Sequence, residues 1–181
     1  MESILSKQIF KNIKLIISDV DGILTDGTIY LGNDGTEYKK FNVEDGAGSA
    51  YARMANIPIA LISGRFSLCT LLRSKEMGIE HCYQGKLNKL DSYEKLKKIY
   101  NVSDNQIAYI GDGLIDIPVL EKVALPCTVP DAHLKVKNIS KYITQKKGGA
   151  GALREIVELI LINKGIYNNI YDKMCQKTYK A

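Results

Sequence analysis

The sequence predicts an α/β fold, a single doubly wound parallel sheet with helices on both faces. Three observations predict it. Short apolar runs alternate with helical patterns along the chain. Turn residues close most of the runs. Four of the runs end in polar groups of the kind that gather at the carboxyl rim of such a sheet.

The elements follow in order. Leu15-Ile16-Ile17 reads as a buried strand. Thr28 to Leu31 and Glu37 to Phe41 flank Gly32-Asn33-Asp34-Gly35, a hairpin signal because Asn, Asp and Gly tolerate the positive φ of tight turns. Ala47 to Ala55 reads as a short helix, Ile59 to Ile62 as a second buried strand, and Leu68 to Met77 as a helix ended by Gly78. His81-Cys82-Tyr83 is a short strand. Leu87 to Tyr100 is an amphipathic helix, with Leu87, Leu90, Leu96 and Ile99 set among lysines. Ile107 to Ile110 is a further strand, followed by a helix near Ile115 to Val123, a short strand near Leu125 to Val129 and a closing helix from Ala152 to Ile162. The organisation expected is an N-terminal extension (1–12), one domain (13–163) carrying a hairpin at 27–41, and a C-terminal tail (164–181).

Composition excludes several classes. The chain has 181 residues, 45% hydrophobic and 25% charged, the balance of an ordinary globular domain. No stretch approaches the ~18 uninterrupted apolar residues of a membrane span, and the first residues lack the basic start and apolar run of a signal peptide. A cytoplasmic protein is expected, with no membrane partner. The four cysteines form no C-x-x-C pair and only two histidines are present, which argues against zinc. The net charge of +5 suits an anionic small substrate, but no basic stripe interleaved with aromatics marks a nucleic-acid surface.

The strand ends carry the chemistry. After the first strand comes Asp19-Val20-Asp21-Gly22. Side chains two apart in an extended segment point the same way, so Asp19 and Asp21 can face one site. Two crowded carboxylates call for a cation, and hard oxygen ligands favour magnesium. The second strand ends in Ser63-Gly64-Arg65, where a hydroxyl, backbone N–H groups and a guanidinium suit an anion. After the third, Lys86 and Lys89 sit at the start of a helix, the end a cation disfavours unless an anion lies between. After the fourth comes Gly111-Asp112-Gly113-Leu114-Ile115-Asp116. Each signal alone is also that of an ordinary surface turn. Their order along one rim is much harder to obtain by chance.

That order resembles the haloacid-dehalogenase phosphatase superfamily, with its Rossmann-like fold, at Asp19 and Asp21, Ser63, Lys89, and Asp112 with Asp116. The resemblance extends over roughly Ile13 to Ile162 to the 3-deoxy-D-manno-octulosonate 8-phosphate (KDO 8-phosphate) phosphatases. It is carried by Asp-Val-Asp-Gly-Ile-Leu-Thr-Asp-Gly at 19–27, Phe41 to Gly46, Ser63-Gly64-Arg65, Tyr83-Gln84-Gly85, Leu114-Ile115-Asp116 with Pro118, Pro130 to His133, and Gly148 to Ala152 with Arg154-Glu155. Two positions depart from it: Gly113 stands where the family usually has a second aspartate, and Ala50 where relatives often carry an arginine.

The resemblance implies a magnesium-dependent phosphomonoesterase acting on a small sugar-acid phosphate in lipopolysaccharide precursor synthesis. It makes Asp19 the nucleophile and Asp21 the acid and base. Ser63 and Lys89 contact the transferred phosphoryl group. Asp19, Asp21 (through its carbonyl) and Asp112 hold Mg2+, with Asp116 in support. Asn42, Val43, Glu44, Asp45, Gly46, Arg65, Arg73 and Lys89 are implied to contact substrate, Arg65 being the candidate for the sugar carboxylate. The alternatives are a phosphatase for a sialic-acid-type 9-phosphate, disfavoured by Arg65, and a non-catalytic domain of the same fold, disfavoured by the presence of both Asp19 and Asp21. A nucleic-acid 3′-phosphatase lacks its basic groove. The segments 26–63 and 63–89 leave no room for the cap domain usual in the superfamily. A capless homotetramer joined by the hairpin is therefore implied.

Overall fold

The computed structural model describes residues 7–179, with side chains to residue 176, so the outermost parts of the expected extension and tail lie outside the described residues. The first helix is α1 (Lys7–Asn12), and it leads into β1 (Leu15–Ser18). A hairpin of β2 (Tyr30–Leu31) and β3 (Glu37–Tyr38) follows, then α2 (Val43–Met54), β4 (Ile59–Ile62), α3 (Leu68–Glu76), β5 (His81–Tyr83) and α4 (Leu90–Tyr100). The second half holds β6 (Ile107–Ile110), α5 (Ile117–Leu120), β7 (Leu125–Thr128), α6 (Leu134–Ile139), β8 (Tyr142–Ile143), α7 (Ala152–Asn163) and α8 (Tyr167–Tyr179).

The main sheet has six strands in the order β5-β4-β1-β6-β7-β8, all parallel. Every residue of β1, β4, β6 and β7 is buried, as the continuous apolar runs require of strands covered on both faces. The chain leaves β1 for β4 and β5 on one side, then returns to β6 on the other. Right-handed crossovers set α2 and α3 on one face and α4 and α5 on the opposite one. The strand order reverses around β1, so the carboxyl ends of β4, β1 and β6 open a crevice at the switch point. Only the hairpin and α2 lie between β1 and β4, and only α3 between β4 and β5. The domain is capless.

Several element ends differ from the sequence expectation, each for a local reason. α2 begins at Val43 rather than Ala47, because Asn42 acts as N-cap and accepts from the Glu44 N–H at 2.9 Å. α4 begins at Leu90 rather than Leu87, because Lys89 occupies the cap and Leu87 stays exposed. The helix expected near 115–123 is a 3-10 turn at Leu114–Asp116 running into α5, whose first turn carries Pro118. The extension and the tail each hold a helix anchored in the core, α1 through Phe10 and α8 through Ile170, and α6 and β8 are further elements that periodicity did not reveal.

Candidate active site

The site is built at the carboxyl ends of β1, β4 and β6. Asp19 follows β1 directly, and its N–H still bonds the Ile110 carbonyl of β6 at 2.9 Å, which fixes the backbone beneath the carboxylate. The chain then turns tightly. The Val20 carbonyl accepts from the N–H groups of Ile23, Leu24 and Thr25. Gly22 takes a positive φ of 89°, and a Cβ there would collide with the Asp112 carboxylate. Glycine is required by both the turn and the approach of Asp112.

Asp19, Asp21, Ser63, Arg65, Asp112 and Gly113 line one cleft of about 490 Å³, with Ile29, Leu87 and Ile115 on its lip. Ser63 is buried at the end of β4, and its hydroxyl accepts from the Arg65 N–H at 3.3 Å. Lys89 is 1% exposed and reaches from the start of α4 to Asp19 at 2.8 Å and Asp116 at 2.6 Å. Lys86, the alternative lysine, is exposed. Asp116 accepts from Lys89, from the Tyr109 hydroxyl and from the Gly113 N–H at 3.0 Å. It holds Lys89 in place.

Burial dominates the electrostatics. It lifts the Asp19 pKa well above the usual carboxylate range, against the opposing pull of Lys89. It lifts Asp112 to about 6, with Asp116 adding like-charge repulsion. Burial would also strip Lys89 of its proton, but the charges of Asp19 and Asp116 outweigh it and raise the lysine pKa. Carboxylate oxygens of Asp19, Asp112 and Asp116 lie within 4.8 Å of one another, the one such grouping among the described residues. Asp116 is fully buried and already committed to Lys89, Tyr109 and Gly113, whereas Asp19 and Asp112 line the cleft and are the better placed donors for a cation. Their crowding and raised pKa values fit a hard divalent ion, which relieves both.

The hairpin reaches the same rim, a feature the motifs did not reveal. Glu37 grips Arg65 with both carboxylate oxygens, each at 2.9 Å from a guanidinium nitrogen. Lys39 meets Asp21 at 2.6 Å. Period-2 spacing of Glu37 and Lys39 was the available signal. The remaining residues expected to touch substrate do not line the cleft within one chain. Asn42 caps α2 and also bonds the Gly149 carbonyl at 3.3 Å. Glu44 pairs with Arg154. Asp45 is buried and accepts from the Arg154 N–H at 3.2 Å, capping α7 from α2. Arg73 donates to the Asn42 carbonyl at 2.9 Å and pairs with Glu76, lying against Gly46. Val43 is exposed.

A family model for the haloacid dehalogenase-like hydrolases matches residues 59–156. This chain belongs to that family. Within the haloacid dehalogenase-like hydrolases it falls among the KDO 8-phosphate phosphatases. It is 45% identical over 155 residues to the 3-deoxy-D-manno-octulosonate 8-phosphate phosphatase of Salmonella typhi, spanning 86% of this chain and 82% of the relative. The crystal structure of the Yersinia pestis phosphatase superposes with a TM-score of 0.89 at 42% identity, covering 91% of this chain and 89% of that one. The Moraxella catarrhalis phosphatase, solved with a magnesium ion, a phosphate ion and KDO, superposes with a TM-score of 0.89 at 39% identity, covering 93% and 97%. The chain is thus a phosphoric monoester hydrolase. No helix among its described residues is long and apolar enough to cross a membrane.

Proposed function

We propose that this chain hydrolyses KDO 8-phosphate to the free sugar acid and phosphate, with Mg2+, through an aspartyl-phosphate on Asp19. The observation that carries the reading is the convergence of Asp19, Asp21, Ser63 and Asp112 on one cleft at the switch point, with Lys89 paired to Asp19 behind it. Asp19, the Asp21 main-chain carbonyl and Asp112 would hold the ion. It supplies the positive charge that lets a carboxylate approach a phosphate dianion.

The chain's own residues do the rest. Lys89 pins Asp19 from one side and, with three N–H donors of which two are taken by Asp19 and Asp116, keeps one for an oxygen of the transferred group. The Ser63 hydroxyl lies on the same rim for a second oxygen. Asp19 attacks phosphorus in line. Asp21 gives a proton to the leaving sugar oxygen and then takes one from the water that hydrolyses the intermediate. Arg65 is the seat for the sugar carboxylate. Glu37 takes one N–H from each terminal nitrogen and orients the guanidinium, which leaves its remaining N–H groups for the substrate. Such an enzyme serves lipopolysaccharide precursor synthesis in the cytoplasm, and its free cysteines suit a reducing compartment.

The test is a screen of sugar phosphates that includes KDO 8-phosphate, a nonulosonate 9-phosphate and an aryl phosphate. KDO 8-phosphate is expected to lead, EDTA to stop the reaction and magnesium to restore it. A lead for the nonulosonate overturns the substrate, and full turnover after exhaustive chelation overturns the metal.

We also propose a homotetramer assembled through the hairpin. Leu31 is 67% exposed and Tyr38 64%, with Tyr30 and Ile29 beside them, while the polar face of β3 turns back to its own site. Burying such a surface against neighbours removes it from water and completes a site that no cap covers. Light scattering should give four subunits, with Ile29→Asp plus Leu31→Asp breaking the assembly. A stable, fully active monomer defeats this proposal.

A further inference from the structure

The hairpin's inward face ends on the acid–base group itself. Lys39 follows β3, two residues after Glu37 and on the same side of the chain. Its side chain is buried, and its Nζ stands 2.6 Å from Asp21 Oδ1 and 3.3 Å from the Thr70 hydroxyl of α3, with Glu37 at 3.9 Å. All three neighbours are acceptors or anions, so the ammonium is held from three sides. A lysine with its four-carbon stem buried is rarely placed for solubility, because the cost of withdrawing its charge from water is recovered only by a fixed partner. Here that partner is one oxygen of Asp21. The other oxygen, Oδ2, has no hydrogen-bond partner among the described residues and is the one left for reaction.

We infer that Lys39 is a positioning residue for Asp21: it clamps Oδ1 and so aims Oδ2 at the leaving-group oxygen and at the attacking water. The hairpin then serves its own active site in addition to any part it plays between subunits. The adjacent Lys40 makes the contrast. Its side chain is exposed and lies 3.7 Å from Asp26, away from the cleft. The inference rests on the reading of Asp21 as the acid and base, and its test separates the two.

Kinetics with saturating magnesium on the best substrate of the screen, with melting curves for each variant, decide it. Lys39→Met keeps the buried stem and removes the charge. It should lower kcat about ten- to a hundredfold, the worth of one charge-assisted hydrogen bond, while KM stays within about threefold. Lys39→Arg, which keeps a cation, should recover at least about a tenth of wild-type kcat. Lys40→Met, which removes the same charge one residue on, should leave both parameters unchanged. Asp21→Asn reports on the parent reading and should lose turnover altogether. Wild-type kcat in Lys39→Met with Asp21→Asn inactive overturns the inference alone, and so does a folded Lys39→Arg with no recovery. An active Asp21→Asn overturns the reading beneath it.

Discussion

Two polar clusters of this molecule look alike as sequence and behave differently as structure. One is the rim at the ends of β1, β4 and β6, with Asp19, Asp21, Ser63 and Asp112. The other is the seam between α2 and α7, where Asn42, Glu44 and Asp45 meet Gly149 and Arg154. Both are rich in acids, glycines and arginine. At the rim the side chains face a cleft, where burial raises the pKa of Asp19 and of Asp112 and there is room for a ligand. At the seam the same residue types bond one another and the helix ends, with one oxygen of Asp45 left over. Gly48 lets α2 close on α7 because a Cβ there would stand 2.7 Å from the Arg154 Cα. Gly148 and Gly149 pack just as tightly under Gly22 and Thr25 of the turn after Asp19. The seam therefore braces the rim from behind, and a polar motif is told apart as site or brace by what its side chains face.

The largest expected effect lies at the rim. Asp19→Asn keeps the shape and removes the attacking oxygen, so turnover should fall by more than the ~10²–10³ of a lost stabilising contact. The folded state, read by circular dichroism and melting, should persist. A loss below tenfold with magnesium present breaks the comparison, since Asp19 would then be a structural acid like those of the seam.

This contrast also explains what the sequence could and could not tell. Strands β1, β4 and β6 were legible because each is a continuous apolar run, buried throughout. The hairpin was legible from its Asn-Asp-Gly turn. The rim was legible because Asp19, Ser63 and Asp112 each sit one or two residues after a strand end. Other parts were not. β8 is two residues long, too short for any period to show. α8 is mostly polar and is anchored by Ile170. Leu87 looked like the first core residue of α4 but stands on the lip of the cleft, and the helix starts at the buried Lys89 behind it. Asn42 to Asp45 held a helix-start signal, an Asn cap followed by two acids, that is hidden by its likeness to a ligand-binding loop. The contact of Lys39 with Asp21 joins positions 18 residues apart and depends on how the hairpin folds back, which no local pattern carries.

The seam supplies the smaller effect, and it has a pH signature. Asp45 is 1% exposed, and its Oδ2 has no hydrogen-bond partner. Burial raises its pKa from the usual 3.8 to about 6, although the N–H groups of Arg154 and Leu153 favour the charge. The sign follows from linkage. Between these two values the unfolded chain has lost the proton and the folded chain has kept it, so stability falls as pH rises through the window and is level above it. Asp45→Asn removes the titration and keeps an acceptor able to cap α7. Relative to wild type, the variant should therefore gain stability from about pH 4 to 6, by up to about 3 kcal/mol. In a domain of this size that is on the order of 6–10 °C in Tm. The measurement is a pair of Tm profiles between pH 4 and 7.5, with kcat and KM at neutral pH beside them. If Asp45 belongs to the brace, the Tm difference grows with pH and the kinetics hold. If the Tm profiles run parallel and KM rises steeply, Asp45 belongs with the substrate, and the line drawn between rim and seam has to move.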